Sequence, residues 1–189
     1  MHNIEPYYNW LHLYNAAEDN NSPFYLKDYS EFYYTDKIYN HLIHPQWDNF
    51  GSETLFLKML YVSYDMGFAI IELIGEWNDC ISSDISIFYN KIIEPLVDLN
   101  IDKLIIIGEN ILNFFGDSDE YYAEWEQAND KGWVVLLNFE EHVKSEMSEY
   151  SIDEFWLWGG ALDNMDWRKF QPIDLFLNVS SIISKRLPY

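Results

Sequence analysis

From residue 54 onward the chain alternates short apolar runs with amphipathic stretches, and each run predicts an element. Residues 54–64 are apolar and aromatic with some period-two alternation. Residues 68–74 form a second such run, and the turn signal Asp65-Met66-Gly67 between them makes the pair a predicted β-hairpin. Ser83 or Asp84 can cap a helix running to about residue 100, with Ile85, Phe88, Ile92, Ile93 and Leu96 on one face. Pro95 has to bend or break that helix, because proline lacks the N–H and clashes with the preceding turn. Residues 103–107 and 133–138 are near-continuous apolar runs of the kind buried on both faces of a sheet. Helices are predicted over 119–130 and 140–149, a last strand over 154–158, and a final helix from near Pro172 to about Arg186.

The order is β-β-α-β-α-β-α-β-α, which predicts an α/β fold: a mixed, largely parallel sheet with crossover helices. Residues 1–53 differ, being rich in Tyr, Trp, Asn and His and weak in aliphatics. Tyr7, Trp10, Leu11 and Tyr14 have helical spacing, as do Ile38, Leu42 and Tyr39, so one or two helices packed on the core are expected there. The chain thus divides into an N-terminal extension, 1–53, and an α/β unit, 54–189.

Charge narrows the partners. Residues 1–53 carry two bases against eight acids, the rest nine against twenty-four, for a net −21. Nucleic acid and anionic membrane both call for clustered Lys and Arg, so neither is expected as a partner. No apolar run approaches the ~20 residues of a membrane span, and the first residues lack the basic and apolar regions of a signal peptide, so a cytoplasmic location is expected. A single cysteine, Cys80, excludes an internal disulfide and a Cys-based zinc site.

Several segments resemble the STAS domain, the anti-sigma-factor-antagonist type. Gly67-Phe68-Ala69-Ile70-Ile71-Glu72-Leu73-Ile74-Gly75-Glu76 looks like that family's opening strand and turn. Asp102-Lys103-Leu104-Ile105-Ile106-Ile107 resembles its second core strand, and Gly132-Trp133-Val134-Val135-Leu136-Leu137-Asn138 the next. The resemblance covers roughly residues 55–160 and implies a STAS-like sheet; a flavodoxin-like doubly wound sheet is the rival architecture. Phe115-Gly116-Asp117-Ser118-Asp119-Glu120 falls where the family carries a Phe-x-Asp-Ser-Ser-Gly loop. There Asp119 occupies the position of the usual phosphoacceptor serine and Glu120 that of the glycine. A fixed negative charge stands where the family has a switchable one, and the 53-residue front extension is not part of the minimal domain, so both departures count against the sigma-factor switching role.

Four features are candidates for chemistry. Asp117, Ser118, Asp119 and Glu120 form a partner-binding loop or a weak cation site, or simply the acidic N-terminus of a helix. His41 and His44, if helical, would share a face and could bind metal, but Pro45 and the lack of a third ligand at fixed spacing favour a plain helix end. Cys80 lies among Glu76, Asp79 and Asp84, whose charges blunt a thiol nucleophile. The aromatic residues, 19% of the chain, either fill the core or supply interface anchors. Trp77, Trp156, Trp158 and Trp167 fall at predicted strand ends and loops, where a rim would lie. Nucleophile elbows and glycine-rich phosphate loops are missing from the sequence.

The expectation is a non-catalytic module that binds a protein partner with a basic patch through an acidic, aromatic surface. Asp117, Ser118, Asp119, Glu120, Trp77 and Trp156 are the candidate contact residues, with no metal and no cofactor. A homodimer is one arrangement left open. The alternatives are an acidic inhibitor or immunity-type protein, and a small-molecule or metal-dependent enzyme using strand-end loops at residues 75–79 and 108–113.

Overall fold

The structure, a computed structural model, describes residues 3–30, 32–118, 120–129 and 132–186. Two very short strands, β1 (Lys37–Ile38) and β2 (His41–Leu42), pair antiparallel ahead of the main sheet. That sheet has four strands in the order β3 (Leu55–Ser63), β4 (Phe68–Asn78), β5 (Lys103–Phe115) and β6 (Trp133–Leu137). β3 and β4 form the antiparallel hairpin, while β4–β5 and β5–β6 are parallel. The α/β class expected from the alternation is the one observed, with the three runs at 68–74, 103–107 and 133–138 side by side.

Helices cover one face of the sheet. α1 (Asp79–Ser82) and α2 (Asp84–Phe88) lead into a π-helical turn, Tyr89–Ile93, and then α3 (Glu94–Asp98). The π turn is how the chain carries Pro95 in a helical run: the Glu94 N–H reaches five residues back to Tyr89 O, loosening the turn just before the proline. α4 (Glu120–Ala128) and α5 (Glu141–Glu149) complete this layer. Leu57, Met59, Ala69, Ile71, Leu73, Leu104, Ile106, Val134 and Leu136 point into it, against Phe88, Ile92, Trp125 and Met147. Part of the opposite face is covered by α6 (Pro172–Ser184), which packs Leu175, Phe176 and Val179 on Phe68, Ile70, Ile105 and Val135.

Three expectations are corrected. Residues 3–30 and 32–53 are not helical but a chain of turns around β1 and β2. Their aromatics nonetheless enter the core: Trp10 packs with the α6 layer, Phe24 and Phe50 with the opposite layer, and Trp47 with Ile38, Ile43, Phe56 and Ile74. Residues 154–158 are not a strand. A 3₁₀ turn, Ile152–Glu154, precedes one isolated parallel bridge from Leu157 to Val135 beside β6. Finally, β4 and β5 run through the glycines that read as turns. Gly75 sits at φ 121°, and a Cβ there would stand 2.1 Å from Thr54 O. It lets β3 approach closely rather than turning the chain. Residues 75–78 and 108–113 are therefore strand, not strand-end loops.

Candidate functional site

The face of the sheet under α6 and residues 3–53 is crossed by an ionisable belt. Lys58 on β3 and Glu72 on β4 are directly paired across the hairpin, so their side chains share that face. Each interrupts an apolar row: Phe56 and Leu60 flank Lys58, Ile70 and Ile74 flank Glu72. On β5 the belt continues with Glu109, to which the amide of Asn138, just beyond β6, donates.

Glu72 is 1% exposed. Its Oε2 accepts the Tyr7 N–H at 2.8 Å, and Arg168 Nη2 stands 3.8 Å from its Oε1. Arg168 is held more firmly by Glu109, Nη1 to Oε2 at 2.6 Å, and lies over the Trp167 ring at 4.3 Å. Glu109 Oε1 also accepts from Trp167 Nε1 at 2.8 Å and Asn138 Nδ2 at 2.7 Å. Burial pushes the Glu72 carboxyl up to about 7; the Tyr7 bond and Arg168 oppose that, and Glu109 adds to it. Tyr7, Trp10 and Trp167 pack edge to face nearby, with centroids 4.8–5.5 Å apart. No solute meets this carboxyl without displacing that cover.

Lys58 opens onto a cavity. A cleft of about 690 Å³ lies between residues 5–8, Leu11, Asn15, Tyr29, Phe32, His44 and Gln46, with Lys58 in its lining. The ammonium sits over the Tyr29 ring, 3.6 Å from its centroid. Asp48 Oδ2 is 3.5 Å away, too long for a sound hydrogen bond. Asp48 Oδ1 is already taken by Lys27 Nζ at 2.8 Å and the Tyr29 hydroxyl at 2.6 Å. Burial pulls the Lys58 amine down to about 8, with Asp48 opposing the shift.

A second buried acid, Asp79, opens α1. It accepts from Tyr122 Oη at 2.7 Å, Ile85 N at 2.8 Å and Trp77 Nε1 at 3.1 Å. Burial raises its carboxyl to about 6 against those bonds. All three donors are internal, so Asp79 ties β4 to the helices and reads as architecture.

The residues singled out from sequence scatter. Trp77 is 0% and Trp156 3% exposed, which corrects their assignment as partner contacts. They belong to a core cluster in which Trp156 meets Trp77, Tyr122 and Trp125 edge to face at 4.9–5.6 Å. Trp167 is likewise buried. Asp117, Ser118 and Glu120 are exposed, with Glu120 in the first turn of α4; Asp119 lies outside the described residues. His41 is exposed on β2 and His44 is buried beyond it, its Nδ1 accepting the Gln46 N–H at 3.4 Å and its Nε2 3.6 Å from Glu5. The helix that would align the two histidines is not formed. Among the described residues no three His, Cys, Asp or Glu side chains are grouped to hold a metal. Cys80 donates to Gly116 O at 2.8 Å. Among the described residues no helix is long and apolar enough to cross a membrane.

Sequence reasoning missed Lys58, Glu72, Asp48 and Arg168. A lone ionisable residue inside an apolar strand was the available signal for the first two; the others come from distant segments with no shared spacing. Compared with protein-family models, curated proteins and solved structures, the chain matches none.

Proposed function

We propose that this protein is a non-catalytic binding module that docks a basic protein partner through the aromatic surface of its N-terminal segment. The observation that carries the reading is where the large apolar side chains remain exposed. Of the twenty large apolar side chains exposed among the described residues, eleven lie within residues 4–42, among them Tyr8, Leu11, Leu13, Tyr25, Leu26 at 75%, Phe32, Tyr33 at 77% and Tyr39; Ile81, at 81%, lies outside that segment. Scattered single apolar residues need no explanation, but such a concentration on a chain of charge −21 does. Aromatic side chains bury much area with few rotors, and the long-range field favours encounter with a positively charged partner. A STAS-like core would be compatible with such a role. The anchors are thus assigned to the N-terminal segment rather than to Trp77 and Trp156.

The test compares the wild type with a Tyr33→Ala, Leu26→Asn double variant as bait in extracts of the native host, at low and high salt. Asn suits position 26 because it tolerates that residue's φ of 60°. A basic protein retained by the wild type at low salt, released at high salt and absent from the variant supports the reading. Identical retention by both baits at every salt concentration refutes it.

A further inference from the structure

The Lys58 cleft has the construction of a small-molecule site. Its walls are largely rings and aliphatic groups, from Pro6, Tyr7, Tyr8, Leu11 and Phe32. Its charged lining residues are Lys58 and Glu5. The Lys58 side chain is 9% exposed, and among the described residues the nearest carboxylate oxygen to its ammonium is Asp48 Oδ2 at 3.5 Å. His44 also lines the cleft. Because its Nδ1 accepts the Gln46 N–H, a neutral ring carries its proton on Nε2. Glu5, at 3.6 Å from that nitrogen, is more than half exposed and sits at the mouth. Among the residues lining the cleft Lys58 is the cation and Glu5 the carboxylate, and the Asp48 carboxylate nearest to Lys58 is engaged by Lys27. An ammonium on a side chain about nine-tenths buried, resting on a ring and 3.5 Å from its nearest carboxylate oxygen, leaves hydrogen-bonding capacity unused where it borders the cleft.

We propose that this cleft binds a small aromatic carboxylate, with its carboxylate on the Lys58 ammonium and its ring against Tyr7, Tyr8 and Phe32. Lys58 selects the anion: its ammonium offers donors and a positive charge at the deep end, with the Glu5 carboxylate more than half exposed, so a cationic ligand would meet Lys58 in an unfavourable approach. The apolar walls select a ring over a small inorganic ion, which they could not desolvate favourably. The volume, about 690 Å³, lies within the range of small-molecule pockets. The cleft shares Tyr8, Leu11 and Phe32 with the exposed N-terminal surface, but Tyr33 and Leu26, the positions changed in the docking test, are not among its residues, so the two experiments can fail separately.

The probe is 4-fluorobenzoate, titrated into the full chain and followed by its fluorine resonance, with 4-fluorobenzyl alcohol as the neutral counterpart. Saturable binding of the acid at about millimolar affinity, as fits a ligand of that size, is expected, with the alcohol at least ~10-fold weaker. Lys58→Gln should weaken the acid about 10-fold and leave the alcohol unchanged, while Lys58→Arg should restore part of the loss. Should Lys58→Gln fail to fold, the wild type still decides the matter. Saturating 4-fluorobenzoate should protect Lys58, and not the exposed Lys169, from reductive methylation read by peptide mass spectrometry. Equal binding of acid and alcohol, unchanged binding by a folded Lys58→Gln, or no protection of Lys58 would overturn the proposal.

Discussion

Replacing Glu72 by Gln should make the protein's stability less dependent on pH, and the size of the change follows from the burial of that carboxyl. A glutamate that titrates near 4.5 when unfolded and about 7 when folded favours the protonated form in the native state by about 3 kcal/mol. At 1% exposure, solvent screening gives little reason to discount the figure further. Below pH 4.5 both states hold the proton and the stabilisation is fully present. As pH rises from there to about 7, the unfolded chain has released a proton that the folded chain keeps. Stability therefore falls at up to about 1.4 kcal/mol per pH unit, then levels off. Glutamine keeps an oxygen for the Tyr7 N–H and nearly the same volume but cannot ionise. Its own amide hydrogen bonding shifts the whole curve by a constant, which leaves the slope untouched. Asp79, raised to about 6, contributes a fall of the same sign to both proteins and cancels in the difference. The assay is urea denaturation of both proteins at half-unit steps from pH 4 to 8.5. The stability of Glu72→Gln minus that of the wild type should climb by about 3 kcal/mol across the series. Parallel curves would mean that Arg168, held at 3.8 Å, compensates the buried charge in full, and the account of the belt would fail.

Two further outcomes test the packing. Trp156→Ala should cost about 3–5 kcal/mol in a denaturant titration, as for a large core aromatic, whereas a rim residue would cost under ~0.5 kcal/mol. Gly75→Ala should lower the melting temperature by at least several degrees, because a Cβ would press on Thr54 O and on Ile38 at a φ few L-residues adopt; an unchanged melting temperature would show that β3 can move away from β4 at little cost.

The sheet was legible because its signal is local. Unbroken β-branched runs such as Leu104–Ile107 and the Asp65-Met66-Gly67 turn specify strand and hairpin whatever surrounds them. Gly75 and Gly108 misled because a glycine has two uses, turning the chain and admitting a neighbour. A Cβ on Gly108 would fall 2.1 Å from the Phe139 ring, a contact between positions thirty-one residues apart. The N-terminal segment misled for a related reason. Tyr7, Trp10 and Tyr14 repeat at helical spacing, yet Trp10 meets Trp167 and Tyr14 meets Tyr61, so each ring answers to its own distant partner rather than to a common helix face. Trp77 and Trp156 were placed on a rim because their segments were read as strand ends. β4 carries Trp77 inward between Phe88 and Trp156 instead.

The location of the ionisable belt has a cause in how the two faces are covered. Helices α2 to α5 satisfy most of their own backbone groups, so the sheet beneath them can be wholly aliphatic and aromatic. The opposite face is only partly covered by a helix. Over Lys58 and Glu72 the cover is a turn-rich chain whose N–H and C=O groups have no regular partners of their own. Such a chain can lie on a sheet only if the sheet or its neighbours supply acceptors and donors, because an unpaired buried amide costs about 1–3 kcal/mol. Glu72 supplies one to the Tyr7 N–H, and Trp47 Nε1 supplies one to Ile4 O at 2.8 Å. Each buried charge then has to be answered, Glu72 by Arg168 and Asp48 by Lys27 and Lys58. Lys58 is the member whose answer is incomplete, and it borders the cleft. An irregular cover thus places ionisable groups under residues 3–53, and a gap in that cover makes one of them reachable.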